Sequence, residues 1–284
     1  MAQGTALVTG ASTGIGRATA LHLDSLGWTV LAGVRKQADA EALGAAGSAR
    51  LRPLILDVTD PARIEAAVAA VAETGDGGLG ALVNNAGYVV SGPLEFVDLD
   101  DLRRQFEVNL VAQVAVTQPL IPALRKAGGR IVFTGSIGGR VPLPFVAPYQ
   151  ASKAALANVA GSLRQELRRW DIKVVIVEPG AVTTPIWGKG KEEAARLRDR
   201  LSPEARELYA GAMRAAEVIP DRQNAAGMPP EDVARLIERV LTARNPKPRY
   251  LIGREAKILW ALYRLLPHTL LDRIVAKQMS QTRR

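Results

Sequence analysis

Cysteine is missing from all 284 residues, and histidine occurs only as His22 and His268. The first absence excludes disulfides and thiolate metal sites, without bearing on compartment. The second leaves a catalytic metal short of its usual ligands, and no metal site is expected. His22 falls in a predicted helix and His268 follows Pro267, so both are read as surface or packing residues. Long apolar runs are missing too: the most apolar stretch, Ile258 to Leu266, is nine residues long and includes Arg264. A spanning helix needs about 20 such residues, so none is expected. The N-terminus enters Thr5-Ala6-Leu7-Val8-Thr9 without the basic start, apolar stretch and cleavage pattern of a secretory signal, and a cytoplasmic location is expected. Linkers, internal repeats and low-complexity tracts are absent, which favours one large domain over two.

What the chain does contain is 48% hydrophobic and 23% charged residues, enough for a substantial core. Short apolar segments read as strands at Ala6 to Thr9, Thr29 to Val34, Leu51 to Leu56, Ala81 to Val83, Arg130 to Phe133, Val174 to Val177 and Arg249 to Ile252. Helical patterns alternate with them, among others at Gly16 to Leu26, Pro61 to Glu73, Leu99 to Lys126 and Ala147 to Arg169. Near-continuous apolar strands alternating with helices predict a parallel sheet covered on both faces, an α/β doubly wound fold of about seven strands. The rhythm breaks at 183–228, where a charged helical run, Lys191 to Arg214, stands between loop-like stretches without a strand. An insertion after the sixth strand sits over the carboxyl edge of the sheet, so a substrate lid is predicted.

Charge is uneven. Net charge is +9, and from Arg244 to Arg284 ten Lys and Arg stand against two acids, leaving the remainder nearly neutral. Residues 256–284 combine these cations with Leu259, Trp260, Leu262, Tyr263, Leu265, Leu266, Leu270, Leu271, Ile274 and Val275 at helical spacing. A basic amphipathic extension beyond a 1–255 domain is expected, docked on the core or a sister subunit, with peripheral membrane contact as the sharper alternative. No nucleic-acid module is recognisable, so no nucleic-acid partner is expected.

The chemistry lies in three motifs. Thr9-Gly10-Ala11-Ser12-Thr13-Gly14-Ile15-Gly16 follows a strand and opens a helix, the context of a phosphate-binding turn, where the helix N-terminus offers unpaired N–H groups. Tyr149 and Lys153 lie four apart in a predicted helix, so phenol and ammonium address the same bound molecule. Ser136 lies thirteen residues upstream of Tyr149. Their co-occurrence points to a nicotinamide-dependent oxidoreductase. A serine hydrolase is excluded, because Thr134-Gly135-Ser136-Ile137-Gly138 lacks the first glycine of a nucleophile elbow and neither histidine is placed to help.

With Asp57-Val58, Asn84-Asn85-Ala86-Gly87, Asn109 and Pro179-Gly180 followed by Thr184, the chain resembles the short-chain dehydrogenase/reductase family from about Thr5 to Gly253. The resemblance implies a Rossmann-type sheet and a catalytic set of Asn109, Ser136, Tyr149 and Lys153. Tyr149 would serve as acid or base, with its phenolate favoured by Lys153 and by oxidised nicotinamide. Lys153 would also hold the nicotinamide ribose, Ser136 the substrate oxygen, and Asn109 a water leading to solvent. Cofactor contacts would come from Gly10, Ser12, Thr13, Gly14, Ile15 and Gly16, from Asp57 and Val58 at the adenine, from Asn84, Ala86 and Gly87 beneath the ribose, and from Val182 and Thr184 at the carboxamide. The end of the second strand reads Val34-Arg35-Lys36 where NAD-dependent relatives place an acid. Valine accepts no hydrogen bond and Arg35 can clamp a 2'-phosphate, so NADP(H) is favoured with NAD(H) second, although Thr13 leaves the loop without a second basic residue.

The few polar side chains from Gly138 to Pro148, together with the lid, favour a small hydrophobic alcohol or ketone of bulky shape, similar to the substrates of relatives acting on steroids, retinoids or lipids. A catalytically silent NAD(P)-binding regulator or scaffold is the alternative. The resemblance also implies a homodimer or homotetramer paired through the helices from Leu99 and Ala147.

Overall fold

The computed structural model describes residues 4–217, 224, 225 and 227–280. Parts of the expected insertion, 218–223 and 226, and the last four residues of the extension lie outside the described residues. Seven parallel strands form one sheet: β1 (Thr5–Val8), β2 (Thr29–Val34), β3 (Leu51–Ile55), β4 (Ala81–Asn84), β5 (Arg130–Thr134), β6 (Lys173–Pro179) and β7 (Arg249–Ile252). Their order is β3-β2-β1-β4-β5-β6-β7, so the chain reverses direction across the sheet between β1 and β4. Each expected strand is present within two residues.

The alternation of strand side chains divides the core into two layers. Ala6, Val8, Ala32, Val34, Val83 and Val177 point to one side, against helices α1 (Gly14–Ser25), α2 (Gln37–Ala46) and, after the insertion, Pro230–Thr242. Leu7, Leu31, Leu82, Ile131, Phe133 and Ile176 point to the other, against α3 (Pro61–Ala72), α5 (Ala112–Ala127) and α6 (Ala147–Glu166). Strands buried on both faces need no polar stripe, which is why they read as uninterrupted apolar runs.

The helix expected over Leu99 to Lys126 is not uniform. It runs as α4 (Leu99–Phe106), a π turn at Glu107–Val111, then α5. A π turn carries an extra residue and reorients the helix beyond it. Here it lies beside two buried amides four residues apart. Gln105 accepts from Val90 N (2.7 Å) and donates to Tyr88 O (2.9 Å), while Asn109 accepts from Tyr88 N and donates to Tyr88 O, both 3.1 Å. The two side chains pair with segment 88–90 as a neighbouring strand would.

The single helical run expected at Lys191 to Arg214 is two helices, α7 (Ile186–Arg200) and α8 (Pro203–Glu217). Pro203 cannot donate a backbone hydrogen bond, so it opens a helix rather than continuing one. The base of the insertion is pinned by a parallel bridge between Val182 and Met228, with Thr183 N donating to Met228 O at 3.0 Å. The segment Pro230–Thr242 is α9, followed after β7 by α10 (Arg254–Leu265) and α11 (His268–Ser280). The extension is thus a helix pair, with α10 against β7 and α11 against α8.

Candidate active site

The reversal between β1 and β4 opens a crevice at their carboxyl ends, where open α/β sheets bind ligands. Thr9 N donates to Val83 O at 3.0 Å, and the Thr9 hydroxyl accepts from Asn85 N (2.9 Å) and Ala86 N (3.0 Å). The Asn85 amide returns the contact, donating to the carbonyls of Thr9 (3.1 Å) and Gly10 (3.2 Å). These bonds fold the glycine loop back on the end of β4. A Cβ on Gly10, whose φ is +65°, would lie 2.8 Å from Ala86 Cα, and one on Gly16 would collide with the Gly10 carbonyl oxygen. Helix α1 then starts at Gly14 behind Thr13, whose side chain makes no capping bond, leaving first-turn N–H groups free toward the crevice. Thr184 closes the loop from the far side, its Cγ2 2.9 Å from where a Cβ on Gly14 would stand.

Asp57 follows β3 with one carboxylate oxygen committed: its Oδ1 accepts from Thr59 N (3.0 Å) and Thr59 Oγ1 (2.7 Å). Burial works against its ionisation, but the Thr59 bonds and the charges of Arg35 and Arg104 together hold the carboxyl below its ordinary value. An ionised acceptor with a free oxygen suits an adenine amino group. Arg35, exposed at the end of β2, therefore stands near the same end of the crevice. A narrow glycine turn, unpaired helix N–H groups, an acceptor at Asp57 and a guanidinium near it fit a dinucleotide. Asn84 turns its side chain toward α5, donating to Thr117 Oγ1 at 2.8 Å, and leaves its backbone to border the crevice.

At the other end lie Ser136, Tyr149 and Lys153. Ser136 follows β5 and caps a short 3-10 turn at Ile137–Gly139, its Oγ accepting from Gly138 N at 3.0 Å. The Tyr149 phenol lies beside Ser136, for a Cβ on Gly138 would stand 3.4 Å from Ser136 Oγ and 3.6 Å from Tyr149 Cε1; burial pushes the phenol above its ordinary value and the serine partly offsets this. Lys153 is buried and donates to Thr134 O at 2.7 Å, with its Nζ 5.8 Å from the Tyr149 ring centre. A charged donor's hydrogen bond is worth about 1.5–3 kcal/mol, yet burial still lowers the ammonium to about 8. Burial drives both groups toward their neutral forms, and Lys153 spends a bond on Thr134.

Asn109 stands at the centre of this frame. A Cβ on Gly87 would lie 3.1 Å from Asn109 Oδ1 and 3.8 Å from Lys153 Nζ, so all three converge. Besides holding Tyr88, the Asn109 amide donates to Ser152 Oγ (3.2 Å), which donates to Tyr149 O (2.6 Å). The chain Tyr88–Asn109–Ser152–Tyr149 ties the π turn to the catalytic helix. Sequence reasoning missed Thr9, Asn85 as a side-chain clasp, Gln105 and Ser152. The spacing of Gln105 and Asn109 on one helix face was the available signal for Gln105.

Such a paired phenol and ammonium beside a dinucleotide crevice belongs to the nicotinamide-dependent oxidoreductases. The family model for short chain dehydrogenases matches residues 4–195, and the chain belongs to that family. It is similar to estradiol 17-beta-dehydrogenase 2 of Mus musculus, 38% identical over 95% of this chain and 74% of that protein. It is likewise similar to the NADPH-dependent 3-dehydrocapnine reductase of Ornithobacterium rhinotracheale, 33% identical with 97% of each chain covered. Among solved structures, a short-chain dehydrogenase from Streptomyces avermitilis matches with a TM-score of 0.76 at 32% identity, over 97% of this chain and 94% of that one. The protein is an NAD(P)-dependent dehydrogenase/reductase that interconverts alcohol and carbonyl groups.

Gly16→Ala should push its new Cβ into the Gly10 carbonyl, destabilise the fold by about 1–3 kcal/mol and weaken dinucleotide binding at least about tenfold. Melting temperature and fluorescence titration with NADPH check this; an unchanged affinity would show that the turn has room.

Proposed function

We propose that the protein uses NADP(H) to interconvert a bulky apolar ketone or aldehyde and its alcohol, with Tyr149 as the acid and base. The observation that carries this reading is the Tyr149 phenol set between Ser136 and the buried Lys153. When bound, the dinucleotide supplies or accepts the hydride. Gly10 to Gly16 would cradle its phosphates with Ser12, Thr13 and Ile15, Asp57 and Val58 would border the adenine, and the backbone of Asn84 to Gly87 the ribose. Val182 and Thr184 would meet the carboxamide.

Ser136 orients the substrate oxygen, and Tyr149 gives or takes its proton. Lys153 holds the ribose and restores the Tyr149 proton. The Asn109 amide spends both N–H groups on Tyr88 O and Ser152 Oγ, so a water on the exit path would donate to its Oδ1 or to backbone carbonyls opened at the π turn. Because burial raises the phenol, Tyr149 stays a proton donor through neutral pH, which suits carbonyl reduction. Lys153 titrates at about 8, so it carries its proton below that pH and loses it above. Reduction should be flat below pH 8 and decline above, while oxidation should rise with pH. Tyr149→Phe should remove both limbs by at least about a thousandfold while NADPH binding stays within about twofold; Ser136→Ala should cost less. Near-normal turnover in Tyr149→Phe would refute the mechanism, and NADPH binding without turnover across steroid, retinoid, long-chain and small carbonyls would favour a silent regulator.

The substrate class rests on what faces the cleft. Tyr209 of α8 meets Phe96 and Phe145 edge-on, at 5.6 and 6.4 Å between ring centres, and its hydroxyl donates to Glu95 at 2.7 Å. Leu197 of α7 packs over Gly92, and Gly190 lies against Val89 and Ser91. These contacts make α7 and α8 an aromatic and aliphatic lid, which supports a bulky apolar substrate. The preference for NADP(H) rests on Arg35, which would pair with the 2'-phosphate at about 1.5–3 kcal/mol. The similarity to an NADPH-dependent reductase leans the same way. Arg35→Asp should reverse the ratio of kcat/KM for NADPH and NADH, and an unchanged ratio would place the phosphate elsewhere.

Outside the site, Ile258, Leu262 and Leu265 stand 59%, 41% and 80% exposed along one stripe of α10, and Leu270 and Ile274 are exposed on α11. Arg254, Lys257, Arg264 and Arg273 accompany them. An apolar stripe among cations complements an anionic bilayer, and we infer that the extension rests on one. Exposed Leu99 and Val111 on the α4–α5 side suit pairing with a second copy in a homodimer or homotetramer. The full chain should float with phosphatidylserine vesicles at low salt, and Leu262→Asp with Leu265→Asp should abolish this. Failure of the unaltered protein to float, or its elution as a larger species that these changes dissociate, would give the stripe to a protein partner instead.

A further inference from the structure

We propose that Trp260 of α10 is a positioning residue for the catalytic loop, acting through Arg140. The inference rests on the reaction proposed above and extends its machinery into the C-terminal extension. The loop joining Ser136 to Tyr149 carries one charged residue, Arg140, four positions after the serine. Arg140 N donates to Ile137 O at 2.9 Å, closing the turn that Ser136 caps. Its side chain leaves the substrate side and forks onto Glu178 of β6, Nε donating to Oε2 at 3.0 Å with a second bond from its terminal nitrogen. Arg249 of β7 reaches the same carboxylate, Nε to Oε2 at 3.1 Å and its terminal nitrogen to Oε1.

Glu178 is 1% exposed and Arg140 14%, so this cluster is largely removed from water. It holds two guanidinium charges against one carboxylate. Arg249, at 41% exposure, keeps solvent on its open side. Arg140 does not, and the indole of Trp260 stands 4.9 Å from its Cζ. The negative face of that ring is the remaining complement to the surplus charge, an attraction that strengthens on desolvation. Trp260 is itself held, stacked on Tyr263 at 6.1 Å, which meets His268 at 5.2 Å. The first turn of α10 is seated where Ala256 fills the space above Gly180, 2.9 Å from the position of a Cβ there.

A continuous line thus runs from α10 through Trp260, Arg140 and the 3-10 turn to Ser136 and the Tyr149 ring beside it. Arg249 alone neutralises Glu178, so the β6–β7 edge does not need Arg140. What Arg140 adds is a fixed path for the loop, and Trp260 holds that guanidinium in place. Proton transfer depends on that path, since misplacement by about 1 Å can cost a hundredfold in rate.

The test uses the full chain with Trp260→Ala, Trp260→Phe, Arg140→Ala and the double Arg140→Ala/Trp260→Ala. Trp260→Ala should lower kcat about tenfold, keep NADPH affinity within about twofold, and speed amide hydrogen exchange across 137–148. Trp260→Phe should restore most of the rate, and the double variant should be no slower than Arg140→Ala alone, the signature of one shared path. Unchanged exchange in 137–148, or an unchanged kcat with faster exchange, would overturn the proposal. So would additive losses, or losses of rate that only track melting temperature. Should the unaltered enzyme turn over no carbonyl tested, the catalytic reading fails by itself, and the exchange data still decide whether α10 orders the loop.

Discussion

The hydroxyl of Thr9 and the amide of Asn85 clasp two strand ends that belong to opposite halves of the sheet, and the cofactor crevice depends on that clasp. Strands β1 and β4 are neighbours only because the chain reverses direction there, leaving their ends with no connecting loop in common. Four side-chain hydrogen bonds between Thr9-Gly10 and Asn85-Ala86 supply the missing connection. Each joins a group that is at least partly buried, and an unpaired backbone group there costs about 1–3 kcal/mol. The clasp also explains the local glycines. With the Asn85 amide and the Gly10 carbonyl crowding the start of α1, only Gly16 fits, and the helix N-terminus is aimed by covalent geometry rather than by a cap.

The reacting end is framed by polar networks as well, but with different electrostatics. Gln105 and Asn109 hold segment 88–90, Ser152 links Asn109 to the backbone of Tyr149, and Lys153 is bonded to the end of β5. Fully satisfied buried networks of this kind specify one arrangement because every alternative orphans a group. Burial then acts on the two titrating residues in the direction of neutrality, raising Tyr149 and lowering Lys153. The lysine therefore yields its proton before the tyrosine does. Below a pH of about 8 the Lys153 ammonium is the positive charge that the polypeptide itself sets beside the phenol.

The sheet was legible because its strands are buried on both faces, which turns β1, β4, β5 and β6 into apolar runs bounded by Gly, Asn and Pro. The motif residues were legible because glycine at 10, 14 and 16 and Tyr149 with Lys153 are confined to few roles in that order. Strand periodicity also explains the Asn84 amide: it shares the parity of Leu82, whose side chain faces α5, and turns to the same side. The π turn was hidden, since Leu99 to Lys126 keeps a helical pattern throughout and the inserted residue has no composition of its own. Pro203 was visible and marked a helix start inside a run read as continuous. Glu178 with Arg140 and Arg249 was out of reach, because partners 38 and 71 residues apart leave no local periodicity to find.

Those long-range partners change how the insertion and the extension should be regarded. The insertion is anchored at its base by the Val182–Met228 bridge and by the Thr183 hydroxyl on the carbonyls of Asn224 and Gly227. Its far end is held by Tyr209 on Glu95 and by the packing of α8 against α11. Any displacement of the insertion therefore has to break contacts at the α8 end, because its base is pinned by the Val182–Met228 bridge. Helix α11 follows directly from α10, and α10 is fixed by Ala256 and Trp260 on the side of the catalytic loop. The extension thus touches the insertion with one helix and the loop of Ser136 with the other. A load applied to its exposed apolar stripe would be felt at both places, so residues beyond the last strand belong to the same mechanical unit as the chemistry.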